Sequence, residues 1–189
     1  KSYKSGSSER ISLQAKYDEM AGQTIEIPLI IGGQEIKTGD TGTCVMPHDH
    51  GHILATYHKG GKKEVKLAVN SAMDRWRSWS RTSLDERAAI FRKAAELLQG
   101  PWRDTINAAT MLNQSKNAFQ AEIDSACELI DFFNFNAQYA EAIYENQPLI
   151  SPDGMRNHFE YRPLEGFVFA ITPFNFTSIA GNLPSAPAL

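Results

Sequence analysis

The stretch EGFVFAITPFNFT, Glu165 to Thr177, decides the fold prediction for this chain. Phe167 to Ile171 is an unbroken apolar run of strand length, which is typical of a parallel strand covered on both faces. Pro173 ends the run, because proline has no backbone N–H to donate to a sheet. In open α/β sheets, ligands bind at the carboxyl end of such strands. Asn175 is therefore a candidate functional residue, and the alternative is a loop asparagine that satisfies nearby backbone groups.

Composition excludes several classes of protein. The chain has 189 residues, which corresponds to one domain or slightly more. Its 19 basic and 22 acidic residues give a net charge of -3, which argues against a nucleic-acid-binding surface. No apolar stretch approaches the roughly 20 residues that span a bilayer, so we expect a soluble protein without a membrane partner. Cys44 and Cys127 have no C-x-x-C spacing, which predicts neither a disulfide framework nor a zinc site and favours an intracellular compartment.

Local signals upstream predict helices and strand pairs. Gly32 and Gly33 predict a hairpin within Ile25 to Gly39, because tight turns need positive φ. A second, looser strand pair is expected around the PHDHGH segment. Ser83 and Glu86 form a capping box that predicts the start of a helix. A first helix is predicted to begin near Ser8. Four more are predicted at Glu64 to Trp79, Ser83 to Leu98, Trp102 to Leu112 and Gln120 to Tyr144.

The helix from Gln120 to Tyr144 combines an apolar stripe with one notable carboxylate. Glu128 falls on the side opposite the stripe, beside Phe132 and Phe135, which predicts a carboxylate among aromatic rings. A buried carboxylate is costly unless it is paired. Its partner could be an internal cation or backbone amide, or a cationic group of a ligand. The predicted stripe consists of Ile123, Ala126, Cys127, Ile130, Phe133 and Ala137.

Two other features are interpreted as structural. His48, His50 and His52 alternate as metal ligands on a strand would, but they lie among turn-forming residues and no further ligand cluster is present, so no metal site is predicted. Cys127 lies within the apolar stripe of a helix, where a free cysteine behaves as a small hydrophobic residue rather than a nucleophile.

The motif ITPFNF resembles the loop of the aldehyde dehydrogenase superfamily, in which a proline, an aromatic residue and an asparagine follow the first strand of the dinucleotide-binding sheet. Many superfamily members have Trp at the position of Phe174 and Pro at that of Thr177. With SIAGNLPSAPAL after it, the loop is similar to the Δ1-pyrroline-5-carboxylate dehydrogenase family within this superfamily. GSSERISL, LLQGPWR and QSKNAFQAEIDSACELIDFFNFNAQYA are similar to the same family, so the resemblance covers nearly the whole chain.

The resemblance implies an α/β fold. This chain would be the amino-terminal part of an aldehyde dehydrogenase-like fold, with helices and β-hairpins that lead into the first strand of a Rossmann-like parallel sheet. Residues 1–145 would form the helical and hairpin part of the dinucleotide-binding domain, 146–164 oligomerisation hairpin strands, and 165–189 the start of the NAD-binding sheet. Since the chain begins with Lys1 and stops at Leu189 in what should be an early helix, we expect a fragment.

The implied activity is NAD-dependent oxidation of L-glutamate γ-semialdehyde to L-glutamate, in proline degradation. The family's nucleophilic cysteine, general-base glutamate and cofactor lysine are expected beyond Leu189. The alternatives are an aldehyde dehydrogenase for another aldehyde, or a non-catalytic binding or assembly module. A homo-oligomer, a dimer or larger, is also implied, in the mitochondrial matrix of a eukaryote or the cytoplasm of a bacterium.

The resemblance also assigns roles to individual residues. Asn175 would stabilise the oxyanion, Phe176 would line the aldehyde substrate tunnel, and Glu128 would lie near the polar end of the substrate. The residues expected to flank the nicotinamide and its ribose are Ile171, Thr172, Pro173 and Phe174.

Overall fold

The computed structural model describes residues 1–189, which form a helical part, two small sheets and a carboxyl-terminal stretch of loops and short helical turns. None of the helices combines the length and the apolar character that crossing a lipid bilayer would require. The α-helices are α1 (Ser8–Ala21), α2 (Lys62–Trp79), α3 (Leu84–Gln99), α4 (Arg103–Gln114), α5 (Ala118–Ala121), α6 (Glu128–Glu145) and α7 (Asn182–Ser185).

Polar caps fix where two of the predicted helices begin. The backbone N–H of Ser83 donates to Glu86 Oε2 at 3.1 Å, and Ser83 Oγ accepts from the N–H of Glu86, which confirms the capping box of α3. Helix α1 begins where predicted, and its cap is Ser7, whose Oγ accepts from the N–H of Arg10. Each cap satisfies a backbone donor that the first helical turn would otherwise leave unpaired.

The strands form two separate sheets. They are β1 (Ile25–Ile27), β2 (Leu29–Ile31), β3 (Gln34–Ile36), β4 (Thr41–Met46) and β5 (Asp49–His58). Strands β2 and β3 form the predicted hairpin, and Gly32 and Gly33 at its turn have φ of 60° and 77°. Strand β5 pairs antiparallel with β4, which confirms the second predicted pair, and parallel with β1. Pro28 separates β1 from the hairpin, because it lacks a ladder donor.

The core lies between helices. Helix α6 packs on α3, and α1 packs on α4. The predicted stripe is confirmed at Ala126, Ile130 and Ala137, which are buried, but not at Ile123, whose side chain is 39% exposed. One core cluster joins Ala95 of α3 to Ala126 and Ile130, with Leu98, Ile106 and Phe133 packed against it.

The single helix predicted from Gln120 to Tyr144 is interrupted by a π-helical segment, Glu122–Cys127, between α5 and α6. Within it, Glu122 is hydrogen-bonded to Arg103 and Ser125 to Thr110, so two of its side chains are tied to α4. A π-helical turn adds a residue per turn and changes which side chains face a neighbour. The segment therefore shifts the register of α6 relative to α5.

The strand predicted for Phe167–Ile171 is wrong for this structure. Residues 146–178 contain no helix or strand, and neither sheet includes them. Phe169 and Ile171 are each 78% exposed. A parallel strand needs hydrogen-bonding neighbours and covered faces before it forms a ladder, and no other strand of the chain lies against this segment. For the same reason 146–164 shows no hairpin ladder, and its role in oligomerisation stays a prediction.

Candidate functional site

Residues 146–171, which pair with no strand, are called the unpaired segment. The loop that carries Asn175 lies between this segment and a short 3-10 helix, Ile179–Gly181. Asn175 is exposed, and its side-chain amide makes no hydrogen bond to the rest of the chain. The structure therefore does not support the alternative of an asparagine that satisfies nearby backbone groups. It leaves an amide N–H donor available to a ligand.

Gln114, the last residue of α4, and Lys116, in the link that follows it, hold the backbone of this loop. With its amide in the orientation that satisfies both groups, Gln114 donates to the Asn175 carbonyl at 3.0 Å and accepts from the N–H of Phe176 at 3.1 Å. Lys116 Nζ donates to the same carbonyl at 2.9 Å and lies 4.3 Å from the centroid of the Phe176 ring. Lys116 also pairs with Asp124 at 2.6 Å. The loop is thus held by its backbone, while the Asn175 side chain stays free.

The residues after the loop are fixed on the helical part. Ser178 is buried and donates through Oγ to the backbone carbonyl of Ser125 at 2.5 Å. Asn136 Nδ2 of α6 donates to Asn182 Oδ1 at 2.6 Å. These contacts place the end of the loop against the π-helical segment and α6, even though residues 167–171 before the loop pair with no strand.

Glu128, the first residue of α6, is only half-buried. Phe132 and Phe135 are 39% and 48% exposed, so the prediction of a carboxylate buried among aromatic rings is wrong. The side of α6 that carries Phe132 and Phe135 is exposed on the surface of the chain. Within the chain, Glu128 forms neither an ion pair nor a side-chain hydrogen bond. Its carboxylate is therefore available to a cation from elsewhere.

The predicted cofactor-flanking residues and Phe176 differ in their surroundings. Ile171, Thr172, Pro173 and Phe174 are all exposed, and Phe174 is 95% exposed. Phe176 is half-buried beneath the Lys116 ammonium group. The structure of this chain leaves the first four open to a ligand and fixes the last against protein.

The buried carboxylate of this region is Glu122, which sequence reasoning missed. It is 3% exposed, and Arg103 Nε donates to its Oε1 at 3.1 Å. Tyr3 donates to its Oε2 at 2.7 Å and Asn107 Nδ2 to the same atom at 2.8 Å. The available signal was its spacing, because Glu122 precedes Ala126 by one helical turn and so falls on the apolar stripe. A charged residue within such a stripe predicts a buried pair.

These contacts control the ionisation of the cluster. Burial by itself raises the pKa of Glu122, but hydrogen bonds from Arg103, the amino-terminal nitrogen of Lys1, Tyr3 and Asn107 outweigh it and lower the pKa to about 2. Burial, together with the hydrogen bond to the Glu122 carboxylate, raises the pKa of the Tyr3 hydroxyl well above its ordinary value. At neutral pH the cluster therefore contains an ionised carboxylate paired with a guanidinium and a neutral phenol. This charge pattern is typical of a structural anchor.

Cys127 borders the same cluster. Its Sγ lies 3.5 Å from Arg103 Nη2 and 3.9 Å from Glu122 Oε1, and the residue is half-buried. The interpretation of Cys127 as a small hydrophobic residue is therefore wrong for its thiol, which contacts charged groups and not the apolar core. The π-helical register turns its thiol toward the ion pair instead of the apolar core.

The three alternating histidines do not converge. His48 Nδ1 shares a hydrogen bond of 2.7 Å with Ser115 Oγ, whereas His52 Nε2 lies 2.8 Å from the carbonyl of Ala21. No three His, Cys, Asp or Glu side chains of the chain are grouped so that they could hold a metal ion. The two histidines instead connect the β4–β5 sheet to neighbouring helices.

Two cavities border the helical part of the chain. One, of about 210 Å³, is mainly apolar and lies between α1, α4 and the β1–β5–β4 sheet, with Thr177 at its edge. The other, of about 780 Å³, lies between α2, α6 and the unpaired segment, where Trp76 Nε1 donates to the Leu164 carbonyl at 2.7 Å. Neither Asn175 nor Glu128 lines either cavity.

Comparison with known proteins gives close relatives over the whole chain. A Delta-1-pyrroline-5-carboxylate dehydrogenase of Agaricus bisporus is 50% identical over 189 residues, which are 100% of this chain and 35% of that protein. The mitochondrial protein of the same name from Homo sapiens is 45% identical over 184 residues, 97% of this chain and 32% of that protein. The chain thus spans about a third of the length of the curated relatives it matches.

Solved structures with a similar fold carry similar names. The Delta-pyrroline-5-carboxylate dehydrogenase from Mycobacterium tuberculosis bound with NAD matches with a TM-score of 0.95 at 49% identity, over 100% of this chain and 35% of that one. A Thermus 1-pyrroline-5-carboxylate dehydrogenase with bound NAD has the same fold over 97% of this chain and 37% of that one, with a TM-score of 0.84 at 23% identity. These matches confirm the predicted fold class, the amino-terminal part of such an enzyme. The aldehyde dehydrogenase family model matches residues 36–189, and the chain therefore belongs to the aldehyde dehydrogenase family.

Proposed function

We propose that the protein carrying this chain oxidises L-glutamate γ-semialdehyde to L-glutamate with NAD. The observation that carries the proposal is the free amide of Asn175 on a loop whose backbone is fixed by Lys116 and Gln114. Relatives named Delta-1-pyrroline-5-carboxylate dehydrogenase match the whole chain, and the solved structure at 49% identity is bound with NAD, which supports this substrate and cofactor.

In this reaction class a thiolate adds to the aldehyde carbonyl, and the carbonyl oxygen becomes negatively charged. Asn175 would donate its side-chain N–H to this oxygen. Such donors act most strongly when they are held in place before charge develops, and the anchored backbone of the loop provides that condition. NAD, when bound, accepts the hydride. Because Ile171, Thr172, Pro173 and Phe174 are exposed, they would hold the nicotinamide and its ribose without rearrangement of the helical part.

Glu128 is proposed to serve the polar end of the substrate. L-Glutamate γ-semialdehyde carries an α-ammonium group, and Glu128 has no cation of this chain as a partner. Half-burial strengthens such a pair relative to a fully exposed one, because water screens it less. Phe176 would line the path of the aldehyde. Residues 146–164 would form strands between subunits of a homo-oligomer.

The test is an assay of the protein expressed from its complete coding sequence. NADH formation is measured by absorbance with L-glutamate γ-semialdehyde and, separately, with an unbranched aliphatic aldehyde that lacks the amino acid end. We expect a higher kcat/KM for the semialdehyde. A higher value for the aliphatic aldehyde would favour a different aldehyde dehydrogenase. Failure to oxidise either aldehyde would favour the non-catalytic binding or assembly module.

The location of the protein follows from the same proposal. Relatives from Homo sapiens and Dictyostelium discoideum are named as mitochondrial proteins. We expect the mitochondrial matrix if the source is a eukaryote and the cytoplasm if it is a bacterium. Fractionation of source cells, followed by detection of the protein with an antibody, measures this directly.

A further inference from the structure

Lys116 is the only side chain that contacts both Asn175 and Phe176 and also forms an ion pair. It lies in the short link between α4 and α5, and its Nζ is 2.6 Å from Asp124 Oδ2, 2.9 Å from the Asn175 carbonyl oxygen and 4.3 Å from the Phe176 ring centroid. The side chains of Lys116 and Asp124 are only 18% and 25% exposed. One ammonium group thus connects the π-helical segment to two of the predicted site residues.

The position of this contact on the loop is important. The Asn175 carbonyl belongs to the peptide group that joins Asn175 to Phe176, so fixing that oxygen fixes the orientation of the peptide plane. Gln114 holds the same carbonyl and the N–H of that plane. Since the Asn175 side chain makes no hydrogen bond of its own, its direction depends on the backbone that Lys116 and Gln114 hold.

The charge of Lys116 has a second consequence. An ammonium group over an aromatic face is attracted to it, and the attraction is larger where water is partly excluded. Asp124 fixes the ammonium group between the carbonyl and the ring, and an ion pair this little exposed is screened less than one on the surface. The Phe176 ring and the Asn175 backbone therefore depend on the same cation.

We propose that Lys116, held by Asp124, is a positioning residue that directs the Asn175 amide toward the oxygen of the substrate. This inference rests on the proposed function, because it requires that Asn175 acts on the substrate. The ammonium group of Lys116 is engaged by protein groups, namely Asp124, the Asn175 carbonyl and the Phe176 ring, so it would act through Asn175. If Lys116 only stabilised the loop, its removal would lower kcat by the same factor whether or not the Asn175 amide is present.

The first test compares single variants of the protein expressed from its complete coding sequence. Lys116→Met removes the charge and the donor but keeps the aliphatic chain. We expect kcat to fall by about 10-fold, since small misplacements of a positioned group reduce rates by this order or more. The Kd for NAD should change little. Lys116→Arg keeps a cation and should recover most of kcat. The control is Lys93→Met, which removes an exposed lysine paired with Glu96 at 2.7 Å and should leave kcat unchanged.

The second test is a double-mutant cycle with Asn175→Ala. If Lys116 acts through Asn175, Lys116→Met should lower kcat by less than about 2-fold once the amide is absent. Equal losses in both backgrounds would overturn the inference and leave the proposed function intact. An unchanged kcat in Lys116→Met, with only a lower Tm, would also overturn it. An unchanged kcat in Asn175→Ala would overturn the role of Asn175 together with the inference. If Lys116→Met does not fold, Lys116→Gln takes its place in the cycle.

Discussion

Ser178 Oγ donates a hydrogen bond of 2.5 Å to the backbone carbonyl of Ser125. Ser178 follows Asn175 by three residues, and Ser125 precedes Glu128 by three. This one buried contact joins the loop of the proposed oxyanion donor to the π-helical segment that leads into the proposed substrate carboxylate. The Ser125 side chain is in turn hydrogen-bonded to Thr110 of α4. The two candidate groups thus lie on segments that share one anchor.

The oxyanion role of Asn175 predicts a loss in the chemical step. Asn175→Ala should lower kcat by about 10²- to 10³-fold, as the loss of one oxyanion donor does in other enzymes, with little change in NAD affinity. Steady-state kinetics and NAD titration of the complete protein check this. Asn70→Ala, which truncates an exposed asparagine of α2, is the matched control and should keep the parent kcat. An Asn175→Ala variant with the parent kcat would exclude the residue from the mechanism.

The substrate role of Glu128 predicts a change in selectivity. Glu128→Gln should lower kcat/KM for L-glutamate γ-semialdehyde far more than for a simple aliphatic aldehyde, because only the first has an ammonium group to pair with the carboxylate. Asp131→Asn removes an exposed carboxylate from the same helix and should affect neither substrate. Equal losses on both substrates would show that Glu128 is a structural carboxylate.

The buried ion pair predicts a large effect on stability. Glu122→Gln leaves the Arg103 guanidinium, which is 8% exposed, without its counter-ion. Removal of one partner from a buried pair reduces the free energy of unfolding by about 3–5 kcal/mol. Glu96→Gln, which breaks the exposed pair with Lys93, should cost less than about 1 kcal/mol. Urea unfolding at pH 7 measures both, and equal effects of the two substitutions would show that burial does not strengthen the first pair.

The same carboxylate predicts how stability depends on pH. The pKa of Glu122 is lowered from 4.5 to about 2 by its donors, even though burial opposes the change. The folded state therefore holds Glu122 ionised where the unfolded chain would protonate it. This contribution is fully present above pH 4.5 and is lost as the pH falls toward 2. The stability difference between the parent and Glu122→Gln should thus shrink below pH 4.5, and a difference that stays constant in urea unfolding would contradict it.

The unpaired segment predicts the behaviour of residues 1–189 expressed alone. Phe169 and Ile171 are each 78% exposed and belong to an apolar run without strand partners. Such runs promote association between chains. We expect concentration-dependent oligomers in sedimentation experiments, fewer of them when both residues are replaced by lysine, and no stoichiometric NAD binding in calorimetry. A cooperative unfolding transition together with stoichiometric NAD binding would contradict this and favour a stand-alone binding module.

The sequence by itself determined the elements whose signals are local. The capping box of Ser83 and Glu86 fixed the start of α3, and the pair Gly32 and Gly33 fixed a hairpin, because each depends only on residues a few positions apart. The resemblance of ITPFNF, and of the stretches before and after it, to the aldehyde dehydrogenase family was also readable from the sequence, and the family model over residues 36–189 confirms it.

The tertiary structure alone decided what long-range contacts control. Glu122 is buried because Arg103, on a different helix, supplies its counter-charge, and the loop of Asn175 is held by Lys116 from 59 residues away. Phe167–Ile171 has strand composition, yet it forms no ladder because no other strand lies beside it. Periodicity records which side of an element is apolar but not which partner covers it. Burial, ionisation and strand pairing depend on that partner.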